Sequence, residues 1–205
     1  KAGNPFGPRA FDGDENACVD FRYSRDPRLT WWFDHHLSTF STVEERAHFE
    51  ALGNTQHYYD PHARSNTKFQ ARVLKERFGF NTEPLVELIE WAEVIDGAQF
   101  GSAERAVALA EPALKLMTWV ENNRDFALTL RFLDDLQQRS LAEIADLPYV
   151  REPLVEILRC HERNIDVIDR RASDLDGIVY YDLIEDGIDA HNKFIAYMLY
   201  PDCRY

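Results

Sequence analysis

The decapeptide WWFDHHLSTF, Trp31 to Phe40, sets a carboxylate and two imidazoles side by side behind three bulky aromatics. Imidazole nitrogen and carboxylate oxygen together suit Mn, Zn or Fe better than Ca, and several acids with a single histidine favour a harder ion such as Mn²⁺. If Asp34-His35-His36 continued a strand, Asp34 and His36 would share one face and His35 the other. If the strand ends there, all three project from its C-terminal tip, where open α/β sheets bind ligands. Two more acids stand in matching contexts. Asp20 closes the apolar run ACVDF, and Asp96 ends a helical segment in AEVIDGAQFG. The ordinary alternatives are a solvated histidine pair, a turn acid at Asp20 and a helix-terminal acid at Asp96. An acid at a helix C-terminus opposes the macrodipole, which weighs for function at Asp96.

These side chains need a scaffold. The chain has 205 residues, 45% of them hydrophobic, enough for one large domain or one and part of another. ACVDF and LTWWFDHH read as short strands separated by the turn SRDPR, with QHYYDP a third strand candidate. STVEERAHFEALG carries a hydroxyl start, early Glu and a terminal Gly53, which predicts a helix. SNTKFQARVLKERFG repeats that grammar and ends in Gly79. TEPLVELIEWAEVIDG puts Leu85, Leu88, Ile89, Ala92 and Ile95 on one stripe, with Pro84 in the first turn. Further helices are expected near 103–119, 122–138 and 140–146. Leu154, Leu158, His161, Ile165 and Ile168 then recur at helical spacing, predicting a long helix that spans about 30 Å. IVYYDLI, Ile178 to Ile184, predicts a strand, and DAHNKFIAYMLYP a helix stopped before Pro201. The expected fold class is α/β, a mostly parallel sheet flanked by helices.

Acids outnumber bases 36 to 23, for a formal charge of −13. Such a surface repels long polyanions, because Lys and Arg contacts supply most non-specific nucleic-acid affinity. A local basic pocket still accommodates a short phosphorylated ligand. Arg64 beside the helix start at Ser65 is the candidate, since helix N-termini bind phosphate; simple capping by Ser65 is the competing and favoured reading. The three cysteines are odd in number and widely spaced, which fits a reduced, cytoplasmic protein. No apolar run approaches the roughly 18 residues of a membrane span, and the N-terminus lacks the apolar stretch of a signal peptide. No Gly-rich phosphate loop is present.

In order and spacing, VDF, WWFDHH, YYDP and AEVIDGAQFG resemble the DHH phosphoesterase superfamily, whose members include RecJ-type exonucleases, oligoribonucleases, family II pyrophosphatases and exopolyphosphatases. The resemblance runs from about Ala17 to Gly101 and more weakly to the chain end. It implies a metal-dependent phosphohydrolase for a small phosphorylated substrate: a short oligonucleotide, a linear dinucleotide or polyphosphate. It implies two Mn²⁺ ions about 3.5–4 Å apart, with Mg²⁺ or Co²⁺ as substitutes. Asp20, His35 and Asp96 match metal ligands, Asp34 would orient His35, and His36 would face the substrate phosphate. Residues 1–150 would form the DHH domain, 151–176 a linker helix, and 177–205 the beginning of the DHH-associated domain.

The sequence departs from the family in two places. The first-motif Asp-x-Asp has its nearest counterpart in Asp12 and Asp14, too close to Asp20 for an intervening helix and strand, so that motif is expected upstream of Lys1. The Gly-Gly-His segment of the associated domain does not occur before Tyr205. The alternatives to a small-substrate phosphohydrolase are a catalytically inactive binding module of the same fold and a single-strand-specific exonuclease. The exonuclease requires a basic groove for which Lys and Arg are too few.

Overall fold

The structure is a computed structural model and describes residues 6–7, 9–53, 55–188 and 190–203. Part of the irregular segment expected over residues 1–16 lies outside them. The chain forms two compact units, Lys1–Ala98 and Gln99–Tyr205.

The first unit is α/β. Its strands β1 (Ala17–Val19) and β2 (Trp31–Asp34) are followed by helix α1 (Val43–Leu52) and strand β3 (His57–Tyr59). Helix α2 (Asn66–Phe78), a single 3₁₀ turn at Glu83–Leu85 and helix α3 (Val86–Asp96) complete it. The three strands form a parallel sheet in the order β1-β2-β3, with Trp32 opposite Cys18 on one side and His57 on the other.

β2 is central, and Trp32, Phe33 and Asp34 are all buried. Strand alternation divides them between two faces. Trp32 joins Phe11, Tyr23 and Leu29, with Phe40, Phe49 and Tyr59 packed around them. Phe33 joins Tyr58, Phe69 and Val73 on the other face. Phe49 belongs to α1, Phe69 and Val73 to α2, so each face of the sheet carries a helix. An aromatic ring buries about 150–250 Å². At about 25 cal/mol per Å², Trp32 alone contributes roughly 4–6 kcal/mol before the entropy of ordering is subtracted.

The helix ends follow the sequence. Thr42 accepts the Glu45 N–H at the start of α1, and Gly53 ends it at φ 72°. Ser65 accepts the Lys68 N–H at the start of α2, and Gly79, at φ 66°, donates back to Lys75 and Leu74 carbonyls. Glycine takes this left-handed conformation without the steric cost a Cβ imposes.

The second unit is mainly helical: α4 (Ala103–Ala108), α5 (Pro112–Asn122), α6 (Phe126–Leu136), α7 (Leu141–Ala145), α8 (Pro148–Arg171) and α9 (Phe194–Leu199). A two-residue antiparallel ladder pairs β4 (Ser173–Asp174) with β5 (Val179–Tyr180). The helix expected over 103–119 is in fact two. Leu109 turns the chain at φ 49°, and Pro112 starts a new helix at its first turn.

α8 is the long helix foreseen, but it is the spine of this unit. It packs on α5, α7 and α9, and Val167 and Ile168 join Val107, Leu183 and Ile195 in a buried cluster. The strand expected over Ile178–Ile184 shrinks to β5. Leu183 leaves the ladder for that cluster, and a 3₁₀ turn at Ile184–Asp186 follows. Among the described residues, no helix is long and apolar enough to cross a membrane.

Candidate metal centre

Five sequence-predicted side chains converge at the C-terminal ends of β1 and β2, within the first unit. Asp20 follows β1, Asp34 ends β2, His35 and His36 come next, and Asp96 closes α3. Among the described residues, Asp20, Asp34, His35 and His36 offer ligand atoms that all lie within 4.8 Å of one another. Asp96 joins through His35, whose Nε2 lies 3.6 Å from Asp96 Oδ2 and 3.4 Å from Asp20 Oδ1.

Each group is fixed by its neighbours. Asp20 sits in the left-handed region at φ 57°, and its N–H donates to Phe33 O at 2.9 Å. Aspartate visits that region more readily than most residues, and such backbone strain concentrates at functional sites. Here it turns the Asp20 carboxylate off β1 toward the β2 tip. Burial pushes the Asp20 carboxyl above its ordinary range, and the Asp96 charge adds to the rise.

Asp34 is fully buried. Its Oδ1 accepts the His35 N–H at 2.8 Å, the His36 N–H at 3.3 Å and the His36 Nδ1–H at 2.7 Å. The ring that Asp34 orients is therefore that of His36. The resemblance had assigned it to His35. The His35 ring is held from another segment. His35 Nδ1 instead pairs with Ala63 O at 2.8 Å. A ring whose Nδ1–H donates to a carbonyl presents Nε2 as a bare acceptor.

That Nε2 is buried and has no hydrogen-bond partner, although two carboxylates face it. A lone pair and two anions turned toward one point are mutually repulsive unless a cation lies between them. The donor set fits a metal ion on chemical grounds: one imidazole nitrogen and two carboxylates, with the imidazole's other nitrogen locked by a carbonyl, as metal-bound histidines are. Asp34 Oδ2 is a second buried acceptor without a partner in the same cluster.

His36 is half exposed. Its hydrogen bond to Asp34 raises its pKa, opposed by desolvation and assisted by the Asp34, Asp20 and Asp96 charges. The shift favours the protonated ring, whose Nδ1 is held by Asp34 while its other edge is exposed. Nearby Cys18 is not a thiolate: burial and then the Asp34 charge push it up to about 11.

The other predicted residues fall elsewhere. Asp12 is exposed and pairs with Arg9 at 3.1 Å, and neither it nor Asp14 joins the cluster. Ser65 is 1% exposed, and its Oγ is committed to capping α2. That removes it from the residues able to touch a substrate. Arg64 is exposed and lines a cleft of about 660 Å³ between α2 and α3. Ala63, whose carbonyl holds His35, also lines the cleft. Lys68, Arg72 and Lys75 follow Arg64 along it; Lys68 pairs with Glu93 and Arg72 with Asp60.

Sequence reasoning missed Asn66. It is 2% exposed, its N–H donates to Asp96 Oδ2 at 3.2 Å, and its Nδ2–H donates to Phe33 O at 3.3 Å. In the sequence it is hidden among the capping residues of SNT.

No family model matches the chain, and no curated protein does. A solved structure described as a pGpG-specific phosphodiesterase, PggH from Vibrio cholerae, is similar at 28% identity with a TM-score of 0.66. The match covers 92% of this chain and 60% of that one, so the chain corresponds to somewhat over half the length of its neighbour. At that TM-score the likeness is one of fold, a parallel sheet with helices on its faces.

Proposed function

We propose that this chain is the catalytic part of a Mn²⁺-dependent phosphohydrolase that cleaves phosphodiester bonds of a small phosphorylated substrate by a two-metal mechanism, with a linear dinucleotide as the favoured substrate. The observation that carries the proposal is the bare, buried His35 Nε2 between Asp20 and Asp96. Asp20, His35 and Asp96 would hold the cation. When bound, it supplies charge neutralisation at the phosphate and a water of lowered pKa.

The chain's own residues do the rest. Ala63 O keeps the His35 ring in the tautomer that presents Nε2. The Asn66 N–H keeps Asp96 turned toward it. Asp34 favours the protonated form of His36 and aims its ring, so that His36 donates to a non-bridging phosphate oxygen as negative charge builds there. Arg64, which lines the α2–α3 cleft, would meet a further phosphate of the substrate. The chain's charge of −13 favours short substrates over long nucleic acid, because each phosphate left without a basic partner is repelled. The dinucleotide preference draws on the neighbouring structure, described as a pGpG-specific phosphodiesterase.

The test is mononucleotide release from pGpG by the full-length protein, with and without Mn²⁺, beside His35→Ala. The proposal expects the substitution to lower the rate by more than about 100-fold. Equal rates for the two proteins contradict it.

A further inference from the structure

Asn66 bonds to two of the three ligand-bearing segments and shares an acceptor with the third. Its N–H holds Asp96 Oδ2, at the end of α3. Its Nδ2–H reaches Phe33 O, which also accepts the Asp20 N–H. Phe33 immediately precedes the Asp34-His35-His36 run. The bond from Nδ2 to Phe33 O sets the amide orientation, and Oδ1 is left buried with no partner.

An unsatisfied buried acceptor costs about 1–3 kcal/mol, and native structures keep few of them without a use. A leucine or another apolar side chain of similar size would avoid that cost. The Asn66 backbone N–H would serve Asp96 equally well whatever side chain followed, except proline. What the side chain adds is therefore the fixed, neutral acceptor Oδ1 and the tie to Phe33.

Resting on the metal-site reading above, we propose that Asn66 is a positioning residue of the metal centre: Oδ1 accepts a hydrogen bond from a water carried by the bound cation, and the tie to Phe33 holds β2 and Asp96 at the spacing the cation requires. A neutral acceptor suits this place. The cluster already holds Asp20, Asp34 and Asp96, and a fourth carboxylate would add repulsion, whereas an amide oxygen accepts without charge. Outer partners of this type commonly alter metal affinity about 10–100-fold.

The experiment measures Mn²⁺ affinity by calorimetry, and thermal midpoints with and without Mn²⁺, for the full-length wild type, Asn66→Leu and Asn66→Ser. The inference expects both variants to bind Mn²⁺ about 10–100-fold more weakly. It expects the metal-free midpoint of Asn66→Leu to stay near wild type, since an orphaned acceptor is removed with the donor, and the Mn²⁺-induced rise to shrink. A purely structural role predicts the reverse: a fallen metal-free midpoint with unchanged Mn²⁺ affinity. That result, or failure of both variants to fold, overturns the inference while leaving the metal site standing. A wild type that takes up no Mn²⁺ contradicts the proposed function itself, and the inference with it.

Discussion

Asp34 Oδ1 stands 2.7 Å from His36 Nδ1, a buried carboxylate holding a half-exposed imidazole. The pair raises the pKa of His36, and the sign of that shift is testable. A histidine whose folded pKa is raised contributes stability that is fully present below its unfolded value near 6.5. That stability is lost as pH rises through the higher folded value. Asp34→Asn removes the charge that holds the proton. The His36 ring titration, followed by NMR on the metal-free protein, is expected to move to lower pH. Where activity is measured, its alkaline limb should move the same way. A His36 midpoint unchanged by the substitution would show that Asp34 does not control it.

His57 has the opposite sign. Burial lowers its pKa, although the bond to Leu29 O at 3.2 Å works against the shift. It is neutral in the fold, so its contribution is present above 6.5 and is lost as pH falls below that and through the lowered folded value. Denaturant unfolding of the metal-free protein should give a stability that declines on the acid side of 6.5, with a shallower decline in His57→Gln. An equal slope in the two proteins would assign the acid sensitivity to other groups.

Tyr23 links the same region. Its hydroxyl lies 2.8 Å from His48 Nδ1 and 3.4 Å from His57 Nδ1, inside the Trp32 cluster. Tyr23→Phe keeps the ring and removes the hydroxyl, so the expected loss is about 1–3 kcal/mol from stranded partners. Trp32→Ala at the centre of that cluster should cost about 3–5 kcal/mol. Chemical denaturation distinguishes them, and a Trp32→Ala cost below that of Tyr23→Phe would contradict the packing described.

Arg64 and Ser65 are adjacent and should separate cleanly. Ser65→Ala removes the cap of α2 and is expected to cost about 1 kcal/mol with KM unchanged. Arg64→Ala, at an exposed position, should leave stability within about 0.5 kcal/mol and raise KM for pGpG. Opposite assignments, with Ser65 affecting KM and Arg64 affecting stability, would overturn the division of labour.

The parts of this molecule legible in the sequence were those set by local chemistry. Thr42, Ser65, Gly53 and Gly79 mark helix ends because their side chains or φ angles satisfy terminal backbone groups. The aromatic run before Asp34 marks a strand buried on both faces. The gathering of Asp20, His35 and Asp96 was also foreseen, from spacing and family resemblance together.

What escaped depended on tertiary context. Periodicity carried one helix through 103–119, but the turn at Leu109 breaks it. The β run after Gly177 pairs over only two residues, because Leu183 is drawn into a helical core. Which of two adjacent histidines Asp34 holds, and what Asn66 does with its amide, depend on distances between segments far apart in the chain. No local pattern encodes them.

The central claim is that Asp20, His35 and Asp96 share one cation. Mn²⁺ titration of the full-length protein, followed by the loss of the free-ion electron paramagnetic resonance signal, tests it most directly. Wild type should take up the ion, and Asp20→Asn, His35→Ala and Asp96→Asn should each weaken uptake by more than about 10-fold. Three variants that bind Mn²⁺ as tightly as wild type would mean that these side chains hold no metal.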